Sequence, residues 1–136
     1  MANGVATNLD PAGVALFGVE HLAGTFAFAG ADDLAAGTIL SVDTSAGSAS
    51  KPAYILYNPA GAGDELVPSA VLEDAVSVTG ATTVAIRPIV SGTVRFEALS
   101  IDAGTALTAT HMLALRDKGI IAQPVNDLAE YDNALS

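Results

Sequence analysis

The residues of this chain best suited to chemistry are carboxylates set beside glycines. Ala60-Gly-Ala-Gly-Asp-Glu65 runs a glycine loop into Asp64-Glu65, Glu73-Asp74 follows shortly after, and Asp32-Asp33 lies upstream. A phosphate cradle needs Lys-Ser/Thr after its last glycine, so that an amine reaches phosphate and a hydroxyl reaches magnesium. Gly61-Ala-Gly63 is followed instead by two negative charges, and the dinucleotide pattern GxGxxG fails at its sixth position, Leu66. General acid–base work needs two carboxyls in different environments facing one site. Neighbours along a strand point to opposite faces, so Glu73 and Asp74 do not converge, and a solvated face is their default. Asp32-Asp33 reads as a turn in which Asp caps the backbone. Calcium loops space their ligands at alternate positions, which no segment here does. His21 and His111 are the two histidines and have no metal-ligand spacing, and the absence of cysteine removes thiolate and disulfide chemistry. Serines are plentiful, yet no Gly-x-Ser-x-Gly elbow occurs. The expectation is no catalytic, cofactor-binding or metal residue, no cofactor, and a protein that is not an enzyme.

The elements that would position such residues are mostly short strands. Gly24–Ala29 alternates with two phenylalanines on one face, Thr38–Val42 follows a turn at 31–37, and Ala53–Tyr57 ends at Asn58-Pro59. Thr44–Ser50 has the composition of a flexible loop. Ala70–Val78 closes at Thr79-Gly80; Thr82–Val90 contains Pro88, the mark of an edge or a bulge; and Ser91-Gly92 turns the chain into Thr93–Glu97. Short strands between Gly/Pro turns indicate a compact barrel or sandwich. One segment breaks the rhythm. Thr105–Lys118 has helix formers throughout, Thr105 as N-cap, Arg116 and Lys118 at its C-terminal end and Gly119 as the C′ residue. Its Leu107, Ala109, Met112, Leu113 and Leu115 spread nearly all the way round, the pattern of a helix buried on most faces.

At 136 residues the chain is one domain. The division is an N-terminal arm over 1–22, a β-rich domain over 23–123 and an acidic tail over 124–136, whose default is a solvated terminus. Only 15% of residues are charged, while 51% are hydrophobic and mean hydropathy is +0.47. Ordinary domains carry about 25% charged residues, so this one either exposes much Ala and Gly surface or hides surface in an assembly, the second being favoured. Five basic residues against a net charge of −10 exclude a phosphate-neutralising patch, hence nucleic acid and anionic membrane surfaces as partners. The first basic residue is Lys51, so no cationic leader is expected. The apolar run Val14–Val19 is far shorter than the ~20 residues of a membrane span.

Five segments in order resemble the lambda-type phage head decoration protein family. Leu34-Ala-Ala-Gly-Thr-Ile-Leu40 is similar to an early family strand, and Tyr54-Ile-Leu-Tyr-Asn-Pro-Ala60 to a strand and turn. Pro68–Val76, Val90–Glu97 and Leu113–Ala122 resemble later segments, the last a closing helix and strand. The match spans about residues 34–122; the loop at 44–51 is longer than usual and the acidic tail is extra. The resemblance implies a mainly β fold with one C-terminal helix (α+β), a small β-barrel-like domain of β-clip type with an extended N-terminal arm. It implies a homotrimer on the outer surface of a virion, made in the host cytoplasm and bound to the major capsid protein. Such a protein cements the expanded head at three-fold and quasi-three-fold sites against the pressure of packaged DNA. On that reading Val14, Leu16, Phe17 and Val19 of the arm contact the capsid. Leu107, Met112 and Leu115 form the trimer interface or, equally, cap the domain core. The competing expectations are a trimeric β-scaffold enzyme acting on a small molecule, with Arg87, Arg95 and Arg116 as its only phosphate ligands, and a surface or tail binding module.

Overall fold

The structure, a computed structural model, describes residues 13–102 and 104–124. It is mainly β with one helix near the C-terminus, an α+β arrangement. The strands are β1 (Ala15–His21), β2 (Gly24–Phe28), β3 (Asp32–Leu34), β4 (Ile39–Gly47), β5 (Pro52–Leu56), β6 (Ala70–Val71), β7 (Val76–Val78), β8 (Thr82–Ile86), β9 (Ile89–Arg95) and β10 (Ile120–Gln123). The helix α1 is Ala109–Asp117, and 3-10 turns occupy Gly63–Leu66 and Phe96–Ala98.

The main sheet runs β1-β9-β6-β4-β5-β2-β8, with β10 parallel to β9, while β3 and β7 pair separately. The barrel expected from the sequence is not closed. β1 and β8 stand at the two ends of the order and each pairs on one side. The physical reason lies at the bend. β1 with β9 and β2 with β8 are two stretches of one antiparallel ladder, bridged where the Leu22 N–H donates to the Pro88 carbonyl at 3.2 Å. Pro88 has no N–H to continue the ladder, so the strand read as Thr82–Val90 breaks there and its halves enter different parts of the sheet.

Two cores lie on opposite faces of β4 and β6. Successive residues of a strand face opposite ways, and here both directions lead inward. Ile39 pairs with Val71 and both belong to a core with Val14, Tyr57, Ile89, Val94, Leu99, Ile101, Leu115 and Ile120. Leu40 pairs with Ala70 and both belong to the other core, with Phe26, Phe28, Leu34, Tyr54, Leu72 and Ile86. In that second core the Phe26 and Phe28 rings sit 4.8 Å apart, an attractive aromatic separation.

Several sequence expectations are corrected. Ala15–His21 is no free arm but an edge strand of the sheet; residues 1–12 lie outside the described residues. Thr44–Gly47 extends β4 rather than forming a loop, and Asp32–Leu34 is strand rather than turn. Ala70–Val78 divides into β6 and β7. Ser91-Gly92 lies inside β9, where Gly92 has φ +113°. A Cβ there would come within 2.5 Å of the Val19 Cα, so only glycine lets the bulged β1 cross so closely. The helix starts three residues later than Thr105. Thr108 is its N-cap and its N–H donates to His111 Nδ1 at 3.1 Å, so the imidazole fills the role usually given to Glu in a capping box. Gly119, φ +91°, ends the helix as the sequence indicates.

Candidate functional site

The acidic residues singled out by sequence do not converge. Asp64 accepts hydrogen bonds from the Thr44 N–H and Thr44 hydroxyl, each 2.8 Å, and thereby ties the 3-10 turn to β4. Glu65 Oε1 accepts from the Ala62 N–H at 3.3 Å within its own turn. Glu73 is not simply solvated: its Oε1 lies 2.5 Å from His21 Nε2, a half-buried pair joining the end of β1 to the loop after β6. Asp33 accepts from the Ser77 hydroxyl across β3 and β7. Among the described residues no three of His, Cys, Asp and Glu gather into a group able to hold a metal, and no helix is long and apolar enough to cross a membrane. His111 caps α1 and meets the Tyr57 ring edge-on at 5.9 Å. The arginines lie apart: Arg87 by Asp74 at the β8–β9 bend, Arg116 on α1, and Arg95 buried at the end of β9.

What does assemble is an apolar surface. Phe17 on β1 and Ile121 on β10 both pair with Thr93 of β9, from its two sides. Residues directly opposite in adjacent strands share a face, so Phe17–Thr93–Ile121 is one row across three strands. The next row, Ala15–Val94–Ala122, turns inward to the first core. Phe17 is 58% exposed and Ile121 47%. Beyond Ile121 the surface continues into a cleft of 280 Å³ between α1 and β10, lined by Ala109, Met112, Leu113, Arg116, Ile121 and Ala122. Leu113 there is 53% exposed. Leu66 and Val67, at the end of the 3-10 turn, are a second and separate exposed apolar pair.

The ends of the described chain meet beside this surface. Arg95 Nε donates to the Gly13 carbonyl at 2.8 Å, its backbone N–H donates to the Val14 carbonyl at 2.8 Å, and Gln123 is its register partner on β10.

Against this geometry the sequence-based contact residues divide. Phe17 is open. Val14 and Leu16 are buried, at 3% and 7% exposure, and Val19 packs on the first core, so these three are corrected from contact to core residues. Leu115 is fully buried in that core and so is not free to form a trimer contact, while Leu107, half-buried, packs against the core, the other role expected of these residues. Met112 is half-buried in the cleft wall. The helix is therefore not buried on most faces within one chain: Leu115 is its buried residue and Leu113 its open one. Leu66, Val67, Leu113 and Ile121 are exposed apolar residues the sequence reading missed. Ile120-Ile121 holds a strand alternation, yet nothing in two equal side chains says which turns outward. No protein-family model matches the chain, and a search of curated proteins finds no match to it.

Proposed function

We propose that this chain is a capsid decoration protein, acting as a homotrimer on the outer face of an expanded phage head and bracing it against internal DNA pressure. The observation that carries this reading is Phe17, 58% exposed at the open β1 end of the row Phe17–Thr93–Ile121, in a chain with only 15% charged residues. Burying one such side chain contributes about 1.5–3 kcal/mol. Three copies held together convert such modest contacts into firm attachment, because the second and third bind at high effective concentration. The ordered resemblance over residues 34–122 and the α+β fold support the same reading, and the net charge of −10 suits a surface turned away from DNA. Two separate apolar surfaces suit a protein with two kinds of neighbour. Phe17, at the β1 end of the row, is assigned to the major capsid protein and Leu66–Val67 to other copies of the chain.

The test is co-sedimentation of the full chain with expanded and unexpanded capsids, for the wild type and Phe17→Asp. The wild type pellets with expanded capsids, and the variant loses about tenfold or more in affinity while keeping its fold. A wild type that ignores expanded capsids, or a variant that binds as well as the wild type, refutes the proposal. Deletion of residues 1–12 is the informative truncation. Removing residues 1–20 would take Val14, Leu16 and most of β1 out of the domain.

A further inference from the structure

We propose that the C-terminal segment 125–136 of the same chain docks in the cleft between α1 and β10. Four observations carry this inference, and none depends on the capsid reading.

The first is position. The described chain ends at Pro124, directly after β10, and Ile121 and Ala122 of that strand already line the cleft. Lys118 and Gly119 alone separate α1 from β10, so the chain reverses there and β10 runs back along the helix toward Ala109. The segment thus begins at the Ala109 end of the cleft. The second is length. Twelve residues span about 18 Å if helical, and the nine-residue helix forming the cleft wall is about 13.5 Å long. The segment is long enough to cover the cleft.

The third is charge. Asp127, Glu130 and Asp132 give residues 125–136 three carboxylates and no base. The chain has five basic side chains in all; one of them, Arg116, lines the far end of the cleft, and a second, Lys118, follows it as the C-cap of α1. Neither makes an ion pair among the described residues. The fourth is the apolar spacing. Val125, Leu128, Tyr131 and Leu135 recur at three- and four-residue intervals, the interval that places side chains on one face of a helix. Such a stripe matches a cleft floored by Met112, Leu113 and Ile121. Docked there, the segment covers Leu113 and Ile121 and leaves Phe17 as the open end of the row.

The absence of cysteine makes the test direct. A nitroxide on Ser136→Cys of the full chain is expected to broaden the methyl resonances of Met112, Leu113 and Ile121. Arg116→Glu is expected to weaken that broadening roughly two-fold or more, and so is raised salt. Leu113→Asp is expected to remove it at Met112 and Ile121, while the exposed site leaves the fold intact. A mixed sample, with nitroxide on one copy and isotope label on another, is expected to show none. Absent broadening at these methyls, broadening unchanged in both Arg116→Glu and Leu113→Asp, or broadening as strong in the mixed sample would each overturn the proposal. The last outcome would assign the cleft to the segment of a neighbouring copy.

Discussion

The two cores on either side of β4 and β6 are built from different parts of the chain. The second draws on Phe26, Phe28, Leu34, Tyr54, Leu72 and Ile86, all from the interior of the sequence. The first gathers the two ends, with Val14 and Leu16's strand packed beside β9, α1 and β10. Only the first carries the Phe17–Thr93–Ile121 row and the α1–β10 cleft on its outside, and only there do both ends of the described chain leave the domain, at Arg95. The difference separates tasks. The interior core stabilises a scaffold that needs nothing further, while the terminal core holds up a surface that is finished only when something covers it. β4 and β6 couple them, because Ile39 and Leu40 are neighbours in sequence yet serve opposite cores.

The largest expected effect comes from damage to the wall that the two cores share. Gly37 precedes β4 with φ +91°; its N–H donates to the Leu72 carbonyl at 2.6 Å and its own carbonyl accepts from the Ser100 N–H at 3.0 Å. A Cβ on Gly37 would lie 1.7 Å from the Ala98 carbonyl oxygen, a backbone atom that cannot swing aside. Gly37→Ala is therefore expected to cost more than about 4 kcal/mol and to unfold both cores together, read as equal loss of amide protection in β1, β9 and β10 and in β2, β5 and β8. Survival of the Phe26–Phe28 core alone would mean that the wall does not couple the halves.

The next effect is confined to one side. Leu115→Ala empties a fully buried site in the terminal core and is expected to cost about 3 kcal/mol. Amide exchange should accelerate more in β1, β9 and β10 than in β2, β5 and β8. Equal acceleration everywhere would mean that damage behind the wall, on one side only, opens the other core just as readily. A variant that keeps its stability and loses only self-association would return Leu115 to an interface.

How much of this was legible in the sequence follows the same division. β2 and β5 could be read from alternation and their stops, because Gly24–Phe28 and Pro52–Leu56 lie in regular ladders. The terminal half was harder. β1 has register shifts between each pair of its register partners, and Gly18 at φ +67° breaks the period-two pattern. Leu16 and Phe17 therefore read alike as arm residues, though one is buried and the other open. Gly92 looked like a turn because a positive-φ glycine serves equally at a turn and at a bulge. The stop of α1 at Gly119 was plain, but its start was not, since Thr105 and Thr108 are both good caps and His111 decides between them. The apolar row was invisible for a more basic reason. It depends on β1 and β10 flanking the same residue of β9, a tertiary fact that no local spacing encodes.

The smallest expected effect belongs to the interior core and titrates. Tyr54 is buried there, and its hydroxyl donates to the Leu22 carbonyl at 2.7 Å, tying β5 to the β1–β2 junction. Burial pushes its pKa from the usual 10.0 up to about 12, since the phenolate would lose its hydration. Between these values the unfolded chain has released the proton while the folded chain still holds it. Stability from this group is thus complete below pH 10 and falls as pH rises toward about 12. Tyr54→Phe is expected to cost about 1 kcal/mol at neutral pH through the lost hydrogen bond and to flatten that alkaline fall. Denaturation midpoints of both proteins across the window measure the difference. A fall of equal slope in the variant would place the alkaline sensitivity elsewhere, with Tyr57 of the terminal core, whose pKa burial also raises, as the next residue to substitute.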